Sequence, residues 1–419
     1  MRTVIVGDLQ YNGREDISRI VNDIAELNAD NVILLGDYGD CDNKNKAEEF
    51  ECVAGQVRKL NVKNLIAILG NHDVQHEIMN LSDIGTAEKE LSLQFGVKHT
   101  NAFLEFEEFS IFCLGCECPP ERNYYSDYEC YISDNTLEKL KKKLLETRDK
   151  PAIMVTHAPP ACSGVINNPE VHLRASNAYL NQDHNYLVFN EIIKENPQII
   201  AWFNGHYHMG YNHQGSISKY NNTYFFITGA PTSAARDGQH HSYIVDYKNN
   251  EFFISVYDHD SHKTIDCKNI NSLEVKRKGY FVGCGKNAKD YIFEAHNGHV
   301  FLMTDNGFLW EIDAENNICL GTIHYSKQFV LDDFYVDDEY IWRICGKVKF
   351  GHKLSDNSRF MREYDYERSC FIQKDFDGLI DIRSKINSNN GWFQLKNGNK
   401  IKFINDNGCL CMIKENSFQ

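Results

Sequence analysis

Short apolar runs, separated by amphipathic stretches, occupy the first 265 residues of the chain. The runs are rich in Val and Ile and predict buried strands at Arg2–Val6, Asn31–Leu35, Leu65–Leu69, Ser110–Leu114, Ala152–Thr156 and Ile199–Phe203. The stretches between them predict helices at Arg14–Asn28, Lys44–Leu60, Asp83–Phe95, Ser133–Thr147 and His184–Glu195, with Ser133 as an N-cap. Three later runs predict closing strands at Thr223–Thr228, Ser242–Asp246 and Phe252–Tyr257. This alternation predicts a layered α/β core.

The pattern changes after Lys263. Residues from about 275 to 419 contain no proline and few helical patterns, and the dipeptide Asn-Gly recurs between apolar runs. Asn and Gly accept the positive φ angles of tight hairpins, so this half is predicted to be all-β. The sequence thus predicts a first domain at residues 1–268 and a smaller β-rich domain at residues 275–419. The stretch NGHVFLMTDNGFLWEIDAENN resembles one blade of a β-propeller in its hairpin rhythm.

Charge and cysteine content restrict the classes of function. The formal charge of -15 opposes long-range attraction to nucleic-acid backbones, which disfavours a general duplex-binding protein. The first apolar run is too short for a signal peptide and no run approaches a membrane span, so we expect a cytoplasmic protein without a membrane partner. The fourteen cysteines are predicted to be reduced core thiols. The alternative is a metal cluster at Cys113, Cys116 and Cys118 with Cys130.

Polar groups that bind metals follow five of the predicted strands directly. In open α/β sheets the loops at the carboxyl ends of strands converge, so these side chains are expected to lie together. Mixed carboxylate, imidazole and amide ligands suit two adjacent divalent ions. The residues in these segments are Asp8, Gln10, Asp37, Asp40, Asn71, His72, Asp73, His157, His206 and His208.

In order and separation these segments resemble the motifs DxQ, GDxxD, GNHD, THxPP and GHxH of the calcineurin-like metallophosphoesterase superfamily, over about residues 1–265. The resemblance implies a β-sandwich flanked by helices, with two metal ions that activate a water against phosphorus. It implies that Asp37 bridges the two ions and that His72 stabilises charge on phosphorus and protonates the leaving oxygen, with Asp40 orienting His72. The remaining ligands that it implies are Asp8, Gln10 and His208 in one site, and Asn71, His157 and His206 in the other.

Gln10 departs from the superfamily pattern, which mostly has His at this place. An amide oxygen is a harder and weaker donor than imidazole, so the expected ions are Mn²⁺ first, with Fe, Zn or Mg as alternatives. Glutamine here also resembles the manganese-dependent ADP-ribose and CDP-alcohol pyrophosphatases, in this one residue. The competing interpretation is that Gln10 leaves its site empty and the enzyme inactive.

Three hypotheses follow for function. The first is a hydrolase that cleaves a phosphodiester, pyrophosphate or phosphomonoester of a small, nucleotide-type substrate. The second is a nuclease acting on single-stranded or end-exposed nucleic acid, which the acidic balance disfavours. The third is a non-catalytic metal-binding sensor. Arg174 and Arg236 are candidate phosphate contacts, because guanidinium forks suit phosphate; ordinary surface arginines are the alternative. The sequence predicts no oligomeric state.

Overall fold

The chain divides into two compact units in a computed structural model. One unit comprises Met1–Val165 and Tyr179–Val275, and most of the other is Lys276–Gln419. The assignment of a catalytic domain to residues 1–268 and an accessory domain to residues 275–419 stays a prediction. The structure describes residues 1–12, 17–39, 46–74, 86–97, 101–119, 129–163, 178–182, 184–213, 215–273, 275, 280–284, 287–295, 298–305, 307–322, 332–338, 340–345, 348–353, 370–372, 383–385, 391–406 and 409–415.

The first unit contains two six-stranded sheets, in the orders β12-β11-β10-β1-β2-β3 and β4-β5-β6-β7-β9-β8. Its strands are β1 (Arg2–Val6), β2 (Asn31–Leu34), β3 (Asn64–Ala67), β4 (Ala102–Glu105), β5 (Ser110–Leu114), β6 (Ala152–Thr156), β7 (Ile199–Asn204), β8 (Ile217–Tyr220), β9 (Thr223–Ile227), β10 (His241–Lys248), β11 (Glu251–Asp258) and β12 (Lys263–Asn269). Strands β1 to β3 are parallel, and so are β5, β6, β7 and β9. The helices are α1 (Ser18–Glu26), α2 (Lys46–Val57), α3 (Thr86–Phe95), α4 (Asp134–Glu146) and α5 (Val188–Glu195).

The parallel strands are apolar on both faces because both faces are covered. Ile5 and Ile33 of the first sheet share a buried cluster with Ile153 and Phe203 of the second sheet, which forms the interior of a sandwich. Side chains alternate along a strand, so neighbours such as Val4 lie on the outer faces, in the cluster that contains the buried helix residues. The predicted sandwich flanked by helices is confirmed, and its two-sided burial explains the continuous apolar runs.

Most predicted elements lie where the sequence placed them. The bounds of β1, β5 and β6 match the prediction, and the Ser133 hydroxyl accepts the Thr136 N–H as the expected N-cap of α4. Helix α1 is shorter than predicted, although residues 13–16 lie outside the described part of the chain. Helix α5 begins at Val188 and not at His184, because the His184 N–H bonds the Asn181 carbonyl in a turn that precedes the helix.

In its described residues the second unit contains strands and turns and no helix, as the all-β prediction requires. All of its described strand pairs are antiparallel. The sheets have the strand orders β13-β25-β24-β23, β17-β16-β15-β14-β22 and β18-β19-β20-β21. Their strands are β13 (Tyr280–Cys284), β14 (Ala288–Glu294), β15 (His299–Thr304), β16 (Leu309–Asp313), β17 (Ile318–Thr322), β18 (Asp333–Val336), β19 (Tyr340–Cys345), β20 (Val348–Lys353), β21 (Cys370–Ile372), β22 (Ser384–Lys385), β23 (Trp392–Gln394), β24 (Lys400–Asp406) and β25 (Cys409–Lys414). The stretch compared with a propeller blade forms the meander β15-β16-β17. A complete propeller stays a prediction.

A buried arginine organises part of the second unit. The Arg383 guanidinium carbon lies 4.1, 4.8 and 4.3 Å from the ring centroids of Tyr291, Phe334 and Tyr335. Its Nη1 donates to Asp333 at 2.8 Å. The aromatic faces and the carboxylate together compensate for burying the charge.

No helix among the described residues has both the length and the apolar character needed to span a bilayer.

Candidate metal centre

Six of the predicted metal ligands lie buried at the carboxyl ends of parallel strands. Asp8 follows β1, Asp37 follows β2 and Asn71 follows β3. His157 follows β6, and the pair His206 and His208 follows β7. Their exposed fractions are between 0 and 3%. The predicted convergence of strand ends therefore brings these residues together in the interior of the first unit.

Four of the predicted ligands have left-handed backbone conformations. The φ angles of Gln10, Asp37, His206 and His208 are 36°, 50°, 71° and 54°. This region is unfavourable for residues other than glycine, and such strain concentrates at sites that the surrounding structure enforces. In this chain the left-handed conformation ends the extended backbone directly after a strand. The side chains that follow can then point toward the cluster of candidate ligands.

Glycine beside these residues permits close approach of the backbone. A Cβ at Gly70 would overlap the Asp37 carboxylate, and a Cβ at Gly205 would overlap the Asp8 carboxylate. The Gly205 N–H also donates to the His157 carbonyl at 2.8 Å. The glycines of the GNHD and GHxH segments thus leave the space that the two carboxylates occupy.

The first ligand group is formed by Asp8, Asp37 and His208, whose ligand atoms all lie within 4.8 Å of one another. His208 Nδ1 lies 3.1 Å from the Ala234 carbonyl, which can only accept, so Nδ1 is the donor of this contact. This orients Nε2 toward Asp8 Oδ1, at a distance of 3.4 Å. A histidine that donates one ring N–H to a carbonyl and turns its other nitrogen to a carboxylate has the orientation of a metal ligand.

The second group is centred on His157, whose Nδ1 donates to the Leu35 carbonyl at 2.7 Å. Its Nε2 lies 3.2 Å from Asp37 Oδ2, 3.0 Å from Asn71 Oδ1 and 3.3 Å from His206 Nδ1. Ligands of one tetrahedral ion with bonds near 2.0 Å are separated by about 3.3 Å. The three distances from His157 Nε2 therefore match the separation of ligands on one divalent ion.

The charges and unpaired atoms of the centre agree with this fit. Asp8 Oδ1, Asp37 Oδ2 and Asn71 Nδ2 are buried and find no hydrogen-bond partner within the described structure. Burial by itself would raise the pKa of Asp37, but His157 and His72 hold that pKa well below its ordinary value. Burial would lower the pKa of His157, but the carboxylates of Asp37 and Asp8 raise it overall. A buried carboxylate oxygen without a donor calls for a positive charge, which a divalent ion provides.

Asp73 supports the centre without offering it a ligand. Its carboxylate accepts the backbone N–H groups of Asp37 at 2.8 Å, Tyr38 at 3.1 Å and Gly70 at 2.7 Å. These contacts join the loops after β2 and β3 and hold Asp37 in its left-handed conformation. The sequence analysis placed Asp73 in the GNHD segment but gave it no role, because its partners are backbone groups that no sequence pattern reveals.

Three further candidate residues lie at the edge of the centre. The Gln10 N–H donates to the Asp37 carbonyl at 2.8 Å, which places Gln10 beside the second strand end. The His72 ring is 18% exposed, with Nε2 4.0 Å from Asp37 Oδ2. Arg236 lies against the GHxH loop, where its guanidinium donates to the Tyr207 carbonyl at 3.0 Å. Asp40 and Arg174 lie outside the described residues.

A thiol joins the second ligand group. The ligand atoms of Cys130, His157 and His206 all lie within 4.8 Å of one another, and all three side chains are buried. Burial raises the pKa of the Cys130 thiol, with Cys116 beside it raising that pKa further. The sequence had marked Cys130 as a distant member of a cysteine cluster. No described cysteine forms a disulfide.

One family model matches the part of the chain that carries the residues of this centre. A family model described as calcineurin-like phosphoesterase matches residues 1–210. A Thermus thermophilus protein is similar at 13% identity and a TM-score of 0.37, covering 64% of this chain and 98% of its own. The purple acid phosphatase PPD1 of yellow lupin is similar at 10% identity and a TM-score of 0.44, covering 65% and 55%. Vps29 of Entamoeba histolytica complexed with zinc is similar at 10% identity and a TM-score of 0.31, covering 65% and 100%. No curated protein matches significantly.

Proposed function

Because the chain belongs to the calcineurin-like phosphoesterases, a family of phosphoester hydrolases, we propose that it hydrolyses a phosphodiester, pyrophosphate or phosphomonoester of a small, nucleotide-type compound. The family match confirms the predicted family and the predicted hydrolase class. The substrate class, the pair of ions and the roles of single residues are part of the proposal.

The observation that carries the proposal is the set of buried, unpaired ligand atoms at the strand ends. Asp8 and His208, with Gln10, would hold one ion, and Asn71, His157 and His206 would hold the other. Asp37 lies within reach of both groups and would be shared. We propose Mn²⁺ as the first choice, with Fe, Zn or Mg as alternatives, because an amide ligand at Gln10 favours a harder ion.

When bound, two divalent ions activate a water and withdraw charge from the phosphoryl oxygens. The residues of the chain supply the remaining chemistry. His72 lies at the exposed side of the centre, from which it would donate a proton to the leaving oxygen. Asp40 is proposed to orient His72. Arg236, and Arg174 in the same role, are proposed to contact the substrate phosphate. We also propose a cytoplasmic location for the protein.

The first experiment is release of nitrophenol from bis-p-nitrophenyl phosphate with and without added Mn²⁺. Hydrolysis that requires the metal is expected. A protein that binds Mn²⁺ and leaves this substrate intact would instead be the non-catalytic sensor. A panel of nucleotides, dinucleotides and single-stranded DNA then separates a small-molecule hydrolase from a nuclease.

His72→Asn tests the assignment of the proton donor. The variant should retain both metal ions by elemental analysis and lose about 10²–10⁴-fold in turnover, the range for a general acid. His262→Asn is the matched control, because His262 has an exposed side chain and a φ of 54° that asparagine tolerates. Unchanged turnover in His72→Asn would remove the residue from the mechanism.

A further inference from the structure

The thiol of Cys130 is buried beside two of the candidate metal ligands, His157 and His206. It is fully buried, and its sulfur lies within 4.8 Å of both His157 and His206 ligand nitrogens. Those two nitrogens are 3.3 Å apart, the spacing of two ligands on one ion. An ion bound between the two imidazole nitrogens would therefore lie near the sulfur as well.

The backbone around Cys130 fixes this position from two sides. Cys130 forms a parallel bridge with Leu180, and its carbonyl accepts the Asn181 N–H at 3.0 Å. The Leu180 N–H in turn donates to the Pro159 carbonyl at 3.0 Å. Pro159 belongs to the THxPP segment that begins with His157, so the thiol is tied to the loop that carries a candidate ligand.

Other buried thiols of the chain provide a contrast. Cys113 and Cys162 are buried in apolar surroundings, and neither belongs to a ligand group in the described structure. The carboxylate oxygen Asp37 Oδ2 is buried without a hydrogen-bond donor and lies 3.2 Å from Nε2 of His157, which belongs to the same ligand group as Cys130. This unpaired acceptor is an observation independent of the cysteine, and it points to a cation at the same place.

We propose that the Cys130 thiolate is a ligand of the ion held by His157 and His206. The inference rests on the proposed function, since it concerns one of the two proposed ions. On binding, the Sγ–H bond breaks, the proton passes to water and a metal–sulfur bond forms. Thiolate is a soft ligand, so this position favours Zn²⁺ over Mn²⁺, whereas the position with Gln10 favours the harder ion.

Cobalt(II) is the probe, because sulfur-to-cobalt charge transfer adds a near-ultraviolet absorption band to the weaker visible bands of the ion. Full-length protein freed of metal is titrated with Co²⁺ and its spectrum is recorded. The wild type should develop both sets of bands. Cys130→Ser should bind cobalt with the visible bands and lose the near-ultraviolet band. Cys113→Ser, a buried thiol outside the centre, should retain it.

A second measurement follows metal preference. Wild-type protein equilibrated with equal Zn²⁺ and Mn²⁺ should retain zinc at one position, and Cys130→Ser should lose that preference by at least about tenfold. Cys116→Ser is an essential comparison, because Cys116 hydrogen-bonds with Cys130. Loss of the near-ultraviolet band in Cys116→Ser but not in Cys130→Ser would overturn the assignment.

The outcomes separate the two levels of inference. Cobalt that binds wild-type protein with visible bands alone excludes a sulfur ligand and leaves the proposed function standing. Protein that binds no cobalt, manganese or zinc refutes both. The wild-type spectrum tests for a sulfur ligand even where Cys130→Ser fails to fold, and Cys130→Ala then tests whether that sulfur belongs to Cys130.

Discussion

At the scale of single residues, Gly205 shows how a residue without a side chain determines the centre. A Cβ added at Gly205 would overlap the Asp8 carboxylate, which is held by the His206 N–H at 2.8 Å. Gly205→Ala is therefore expected to displace Asp8, to cost about 1–3 kcal/mol of stability and to weaken metal binding. Calorimetric titration with Mn²⁺ and chemical unfolding measure the two effects.

Gly55→Ala is the matched control for this change. Gly55 lies within helix α2 and has no atom within 4 Å of an added Cβ. Alanine should stabilise the helix by up to about 1 kcal/mol and leave metal affinity unchanged. If both variants bind Mn²⁺ like the wild type, close packing at Gly205 does not position Asp8.

Asp73 carries the second prediction at this scale. Its carboxylate accepts three backbone N–H groups, and asparagine removes the charge and one acceptor oxygen. We expect Asp73→Asn to lower the free energy of unfolding by on the order of 3 kcal/mol and to weaken metal binding through the Asp37 loop. Glu138→Gln, at an exposed surface pair, should change neither quantity. Full metal affinity in a folded Asp73→Asn protein would contradict the positioning role.

At the scale of elements, the sequence predicts the strands that have a regular apolar pattern. It does not predict features that depend on contacts between segments far apart in the chain. Strands β1, β5 and β6 were predictable because burial on both faces leaves an uninterrupted apolar run. Strand β12 was not, because it is an exposed edge strand with the polar sequence KTIDCKN. The clustering of the polar residues that follow these strands was also predictable, because the carboxyl ends of parallel strands meet at one edge of a sheet. Their role as metal ligands stays a prediction. The positions of Asp73 and Cys130 depend on backbone contacts between segments far apart in sequence, which no local pattern encodes.

A buried polar network joins helix α1 to strand β10 and the end of β11. His259 Nδ1 donates to Asp23 at 2.9 Å, and its Nε2 accepts the Ser242 hydroxyl at 2.9 Å. Asp23 also bonds His262 at 2.8 Å, and Tyr257 packs against the His259 ring. Burial lowers the pKa of His259, an effect opposed by Asp23 and reinforced by Arg19 and His241.

This lowered pKa predicts acid destabilisation. The unfolded histidine, with a pKa of about 6.5, binds a proton before the folded one does, so stability present above about pH 6.5 is lost as the pH falls below it. The slope approaches about 1.4 kcal/mol per pH unit for one group. His259→Asn keeps a donor for Asp23 and should flatten the slope in urea unfolding followed across pH. Part of the slope should remain, because burial also lowers the pKa values of His213 and His241. An identical slope in both proteins would exclude His259 as the cause.

At the scale of the whole molecule, the net charge of -15 opposes the approach of the proposed anionic substrate. Repulsion between like charges slows encounter, and salt screens it over a Debye length of about 10 Å at 0.1 M. We therefore expect kcat/KM for phosphoesters to rise with ionic strength while kcat stays constant. The effect should be steeper for a doubly charged phosphomonoester than for singly charged bis-p-nitrophenyl phosphate.

The negative net charge also makes different predictions for a small-molecule hydrolase and for a nuclease. Proteins that neutralise phosphates lose affinity as salt rises, because counterions are released on binding. For this chain, single-stranded DNA should bind weakly at low salt and should not bind more weakly as salt is added. Fluorescence anisotropy of a labelled oligonucleotide, measured with Mn²⁺ present, reports the slope. A steep loss of DNA affinity with salt, together with a falling kcat/KM for small esters, would mean that a local basic surface outweighs the net charge and would favour the nuclease.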